Sequence, residues 1–105
     1  MLETGLTHTS SLTVTEALTA KAMGSGDLPV LATPAMMALM ENAAMTAVAP
    51  ELPEGSTTVG GHIESSHLKP TPVGAEVKAE ATLTKVDGRK LYFTVKAMQG
   101  DVVIG

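Results

Sequence analysis

The sequence contains no cysteine. That removes disulfide scaffolds, thiolate metal sites and cysteine nucleophiles together, and it fits a reducing compartment. Tryptophan is also absent, and Tyr92 and Phe93 are the only aromatic residues, too few to build a base-stacking platform. Cations are scarce: seven Lys and Arg face eleven Asp and Glu, for a net charge of −4. The cations form no run, so a nucleic-acid partner is not expected. No apolar stretch is long enough to cross a bilayer. The opening "MLETGLTHTSS" lacks the basic start and apolar block of a signal peptide. The cytoplasm is therefore the expected location, with no membrane partner. His8, His62 and His67 are the three histidines, 54 and 5 positions apart (8 to 62, then 62 to 67). With no helical i, i+4 pair and no cysteine, a metal centre is not expected.

What is present fits one domain of 105 residues. Residues 1–9 read as a frayed start. "LTVTEALTA" from Leu12 alternates apolar and polar positions, the pattern of a first strand. "GSGDLP" is loop chemistry. Thr33 suits a helix N-cap and Pro34 the first helical position, which predicts a helix to about Val48, stopped by Pro50 and Pro53. Three strand candidates follow. The first is 57–68. The second is 74–86, with Val77, Ala79, Ala81 and Leu83 on one face. The third runs from Arg89, with Leu91, Phe93, Val95 and Ala97 on one face. Asp87-Gly88 reads as a tight hairpin turn, and "VVIG" opens a last strand that is incomplete at Gly105.

Strand, helix, then antiparallel strands make an α+β chain. The helix "TPAMMALMENAAMTAV" is apolar around most of its circumference, with Glu41, Asn42 and Thr46 as the polar exceptions. Such a helix is buried on most sides. One small sheet wraps only part of it, so a second copy of the chain is the economical cover. An antiparallel sheet wrapped around one central helix is the hot-dog fold.

Glu41 is the conspicuous group. Its helical neighbours are Met37, Ala38, Ala44 and Met45, so no surface ion pair within the helix explains it. A buried unpaired carboxylate costs several kcal/mol, and such sites are where enzymes place carboxylates that react. Alternatively, Glu41 sits on the one exposed strip of the helix. Thr33 is explained by capping alone; a helix start facing a substrate carbonyl would also supply donors to a developing oxyanion. In a regular strand His67 shares its side with Val59, Ile63 and Ser65 and faces the helix, as a core histidine or as a catalyst. The Gly60-Gly61 pair is a candidate bulge that also permits close backbone approach to a ligand.

The segments "GSGDLPVLATPAMMALMENAA", "TTVGGHIESSHLKPTPVG" and "KVDGRKLYFTVKA" together resemble the hot-dog thioesterases. Within them, the chain is most similar to the subgroup related to the fluoroacetyl-CoA thioesterases, over residues 10 to 105. The resemblance implies a homodimer that hydrolyses an acyl-CoA thioester without metal or other cofactor, coenzyme A entering only as part of the substrate. It implies Thr33, Glu41 and His67 as the catalytic residues. Glu41 would be nucleophile or general base, His67 a proton shuttle, and Thr33 an orienting or stabilising group. It places Gly60 beside the bound thioester. A higher assembly of dimers is compatible with it. The loop "MGSGDLPV" departs from the subgroup in having no aromatic residue to screen small acyl groups.

Eight residues of helix rise about 12 Å, so Thr33 and Glu41 do not touch along a regular helix. Either the helix starts after Pro34, or the site draws on two chains. The alternative function is a non-catalytic hot-dog module that binds an acyl thioester or another small apolar ligand. A hot-dog hydratase ranks last, because Asp27 has no histidine near position 32.

Overall fold

The computed structural model describes residues 2–53, 55–58 and 60–105. Strand β1 (Thr7–Thr13) leads through a 3-10 turn (Glu16–Leu18) into a single helical turn, α1 (Ala20–Met23). The long helix α2 (Thr33–Val48) follows, and then β2 (Glu76–Asp87), β3 (Lys90–Gln99) and β4 (Val102–Val103). The strands form one antiparallel sheet in the order β1-β2-β3-β4. Helix α2 lies across β1 and β2 and reaches β3. This is the hot-dog arrangement that the sequence predicts.

Period-two patterning sets the faces of the sheet. On β2, Val77, Ala79, Ala81 and Leu83 are all buried, the first three in one cluster with the helix, while Glu76, Lys78 and Glu80 face water. Opposite them α2 buries Ala35, Met36, Leu39, Met40, Ala43, Ala47 and Val48. Val14, Leu31, Ala97 and Ile104 complete the core. Alanines on the facing surfaces let helix and sheet approach closely, and methionines fill the irregular gaps between them.

Several expectations need correction. The first strand is Thr7–Thr13, earlier than the alternation from Leu12 suggests, so His8 lies in a strand and not in a frayed end. Its register against β2 (Thr7↔Thr82 to Thr13↔Glu76) supplies the ladder that a local pattern does not reveal. The hairpin turn is Gly88-Arg89, because Asp87 pairs with Lys90. Gly88 takes φ +60° at the first turn position, where a type II′ hairpin needs glycine. The expected strand over 57–68 is not one among the described residues. Extended backbone counts as a strand only beside a ladder partner, and of the described residues there only Leu68 has its N–H bonded to backbone, to the Ile104 carbonyl at 2.7 Å. The two-residue alternation survives all the same: Ile63, Ser65 and His67 are half-buried, while His62, Glu64, Ser66 and Leu68 are exposed. Val59, expected on the same inner side, lies outside the described residues.

Candidate functional site

Helix α2 begins at Thr33, with Ala32 as its N-cap and Pro34 in the first turn. Thr33 is therefore not the cap that its residue type suggests, and no side chain caps this helix. Its hydroxyl is turned to another partner. Thr33 Oγ1 and His67 Nδ1 share a hydrogen bond of 2.8 Å. The chain brings them together by running the segment after His67 back past the helix start, where Leu31 N–H donates to the Thr71 carbonyl at 2.8 Å. The other ring nitrogen, His67 Nε2, is buried and has no partner among the described residues. A buried polar atom without a partner is uncommon, since desolvating it costs about 1–3 kcal/mol. A hydroxyl bonded to an imidazole is also the geometry by which a base takes or returns a proton.

A cavity of about 300 Å³ opens beside this pair. Thr33, His67, Leu28, Leu31, Leu68 and Lys69 contribute to its wall. Such a volume is at the small end of ligand sites. Leu28 and Leu68 are 63% and 62% exposed, large apolar side chains at a cavity rather than in a core. The sequence shows the "GSGDLP" stretch only as loop chemistry. That Ser25, Gly26 and Asp27 also line this cavity follows from long-range packing that leaves no local signal.

Glu41 lies farther along α2. It is exposed, on a strip with Pro34, Ala38, Asn42 and Met45, so its own chain does not bury it. Among the described residues it makes no hydrogen bond or ion pair. Its carboxylate instead rests against Gly60: a Cβ there would collide with Glu41 Oε2 and stand 3.2 Å from its carboxyl carbon. Gly60 is not among the glycines with positive φ, so at this position the glycine provides space rather than backbone freedom.

The four sequence-derived candidates thus fall into two pairs within one chain: Thr33 with His67, and Glu41 with Gly60. The helix is continuous from Thr33 to Val48, which rules out a later start. Thr33 and Glu41 are separated by about 12 Å of helical rise. Asn42, noted in the sequence only as a polar exception, accepts a 2.7 Å hydrogen bond from Ser10 of β1. Among the described residues no three His, Cys, Asp or Glu side chains are grouped as a metal ion would require, and no helix is long and apolar enough to cross a membrane.

Comparison with known proteins identifies the family. The family model of the fluoroacetyl-CoA-specific thioesterase matches residues 14–105. The curated fluoroacetyl-CoA thioesterase of Streptantibioticus cattleyicolor is 41% identical over 76 residues, which are 72% of this chain and 55% of that protein's length. The chain thus matches about half of that relative. A crystal structure of the fluoroacetyl-CoA thioesterase superposes with a TM-score of 0.90 at 32% identity, covering 99% of this chain and 82% of that one. A variant in complex with fluoroacetate and CoA gives 0.90 at 31% identity, covering 98% and 87%. A thioesterase superfamily member from Thermus thermophilus gives 0.87 at 29% identity, covering 97% and 76%. With the family model covering most of the sequence and the same fold in relatives of this identity, the chain belongs to the fluoroacetyl-CoA-specific thioesterase family.

Proposed function

We propose that this chain hydrolyses a small acyl-CoA thioester, as a cytoplasmic homodimer in which each site takes residues from both copies. The observation that carries the reading is the Thr33–His67 hydrogen bond at the wall of the cavity, in a chain whose family includes a protein seen with fluoroacetate and CoA. The acyl group occupies the cavity, with the thioester carbonyl near the start of α2. Glu41 acts as general base or as nucleophile. In the general-base form its carboxylate takes a proton from water and the water oxygen bonds to the carbonyl carbon. The C–S bond breaks and His67 gives a proton to the departing sulfur; the proton held by Glu41 then passes through solvent to His67, which restores both groups. The products are a free acid and the CoA thiol. Thr33 orients His67 or stabilises the developing oxyanion.

Three features support a second copy as the missing part. Ala38 and Met45 leave an apolar strip exposed beside Glu41 on α2. Residues 62–67 alternate in burial like a strand but have no backbone ladder among the described residues, which makes them a ready edge for another chain. Thr33 and Glu41 are too far apart on one helix to act on one carbonyl. Two-fold symmetry offers both pairs twice and joins Thr33–His67 of one copy to Glu41–Gly60 of the other.

The test is release of free CoA thiol across a series of acyl chain lengths. Turnover in the ordinary range of roughly 1 to 10³ s⁻¹ is expected for short acyl groups. It should fall for chains too long for a cavity of about 300 Å³. Saturable acyl-CoA binding with no thiol released from any member would instead establish a non-catalytic binding module.

A further inference from the structure

We infer that Ser10 and Asn42 form a positioning pair that fixes the rotation of helix α2, and with it the direction of the Glu41 carboxylate. The inference rests on the proposed role of Glu41. Apart from this pair, the helix is held to the sheet by apolar packing. Small or adaptable side chains make up much of it, Ala35, Ala43 and Ala47 with Met36 and Met40 on α2 and Ala79, Ala81 and Ala97 on the sheet, alongside the branched Leu39, Val48 and Val77. Alanine faces interlock weakly, and methionine repacks at little cost. Against that background one directional contact stands out. Ser10 is 9% exposed, on the inner face of β1. It donates from Oγ to Asn42 Oδ1 at 2.7 Å. Among the described residues this is the only side-chain hydrogen bond between α2 and the sheet.

Asn42 is the residue after Glu41, so the bond acts on the turn that carries the carboxylate. With side chains the helix is about 10–12 Å across, so a rotation of about 10° moves a group at its rim by about 1 Å. A displacement of that size costs on the order of 10²-fold in rate where reacting groups must be aligned. The same rotation would also change how the carboxylate sits against Gly60. Asn42 therefore occupies a mid-helix position where its low helix propensity would otherwise disfavour it.

Steady-state thiol release by Asn42→Ala, Ser10→Ala, the double variant and Ser10→Thr tests this, with Glu41→Gln in the same assay. Asn42→Ala is the decisive variant, because alanine is the better helix former and the site is exposed, so the chain should still fold. The expected result is a kcat lower by about 10- to 100-fold, the upper end being the cost of a full 1 Å displacement, with KM changed by less than about twofold. The melting temperature should not fall in proportion. The double variant should lose no more than either single one, as for two ends of one bond. Ser10→Thr, which keeps the hydroxyl, should retain most of the wild-type kcat. An unchanged kcat in Asn42→Ala, with Glu41→Gln inactive, would overturn the positioning role and leave the catalytic reading standing. Full activity in Glu41→Gln would overturn the catalytic reading itself, and the positioning role with it.

Discussion

Glu41→Gln is expected to lower kcat for acyl-CoA hydrolysis by about 10² to 10⁴-fold, the range for loss of a positioned acid or base. The substitution keeps the shape of the side chain and removes only its capacity to accept a proton or form an acyl bond. Nothing in the fold depends on the charge. Glu41 is exposed and, among the described residues, has no ion pair or hydrogen bond to lose. Gln and Glu have similar helix propensities, so stability should change by less than about 0.5 kcal/mol, as at other surface positions. Binding of acyl-CoA, measured by calorimetry, should persist. Steady-state thiol release checks the first part and thermal denaturation the second. A variant that binds and folds but does not turn over identifies Glu41 as chemical; unchanged turnover removes it from the mechanism.

Gly60→Ala separates function from stability in the opposite way. Its backbone does not adopt positive φ, so alanine fits the chain conformation and reduces the freedom of the unfolded state, an effect worth about 0.4–1 kcal/mol in favour of folding. Its methyl group, however, would take the space that Glu41 Oε2 occupies. The end of a glutamate side chain moves easily, so the collision is relieved by displacing the carboxylate rather than by disturbing the fold. The expected result is a protein at least as stable as wild type, with kcat lower by on the order of 10²-fold, the cost of misplacing a reacting group by about 1 Å. Paired denaturation and turnover measurements check both. Loss of stability with activity retained would mean that Gly60 serves the backbone and not the carboxylate.

The parts of this fold written in local periodicity were legible. The alternation in β2 places Val77, Ala79, Ala81 and Leu83 inside, and the apolar run after Pro34 becomes helix α2 to Val48. Less legible were features set by a distant partner. Thr7 to Thr9 join a strand because β2 is there to pair with them, and residues 62–67 keep a two-residue alternation without being a strand because, among the described residues, no ladder runs beside them. Thr33 shows the same limit at a single residue. Its type suits an N-cap, but its hydroxyl goes to His67, 34 residues away. The candidate residues themselves were visible as anomalies: a carboxylate in an apolar helix, a histidine on the inward side of an extended segment, a glycine pair before it. How they would combine was not visible, because their pairing depends on how the segment 60–71 crosses the helix. Asn42 gave only the faint signal of one of the polar exceptions in an apolar helix; its partner Ser10 gave none.

In the proposed dimer the two pairs, Thr33–His67 and Glu41–Gly60, complete each other between two copies of the chain. Mixing Thr33→Ala chains with Glu41→Ala chains after reversible dissociation tests it most directly. Each variant alone is expected to be nearly inactive. In an equal mixture about half of the dimers contain one chain of each kind, and each of those carries one intact site of two, so activity should recover to about a quarter of wild type. No recovery, with mixed dimers confirmed by mass, would contradict the account and place every working residue of a site within a single chain.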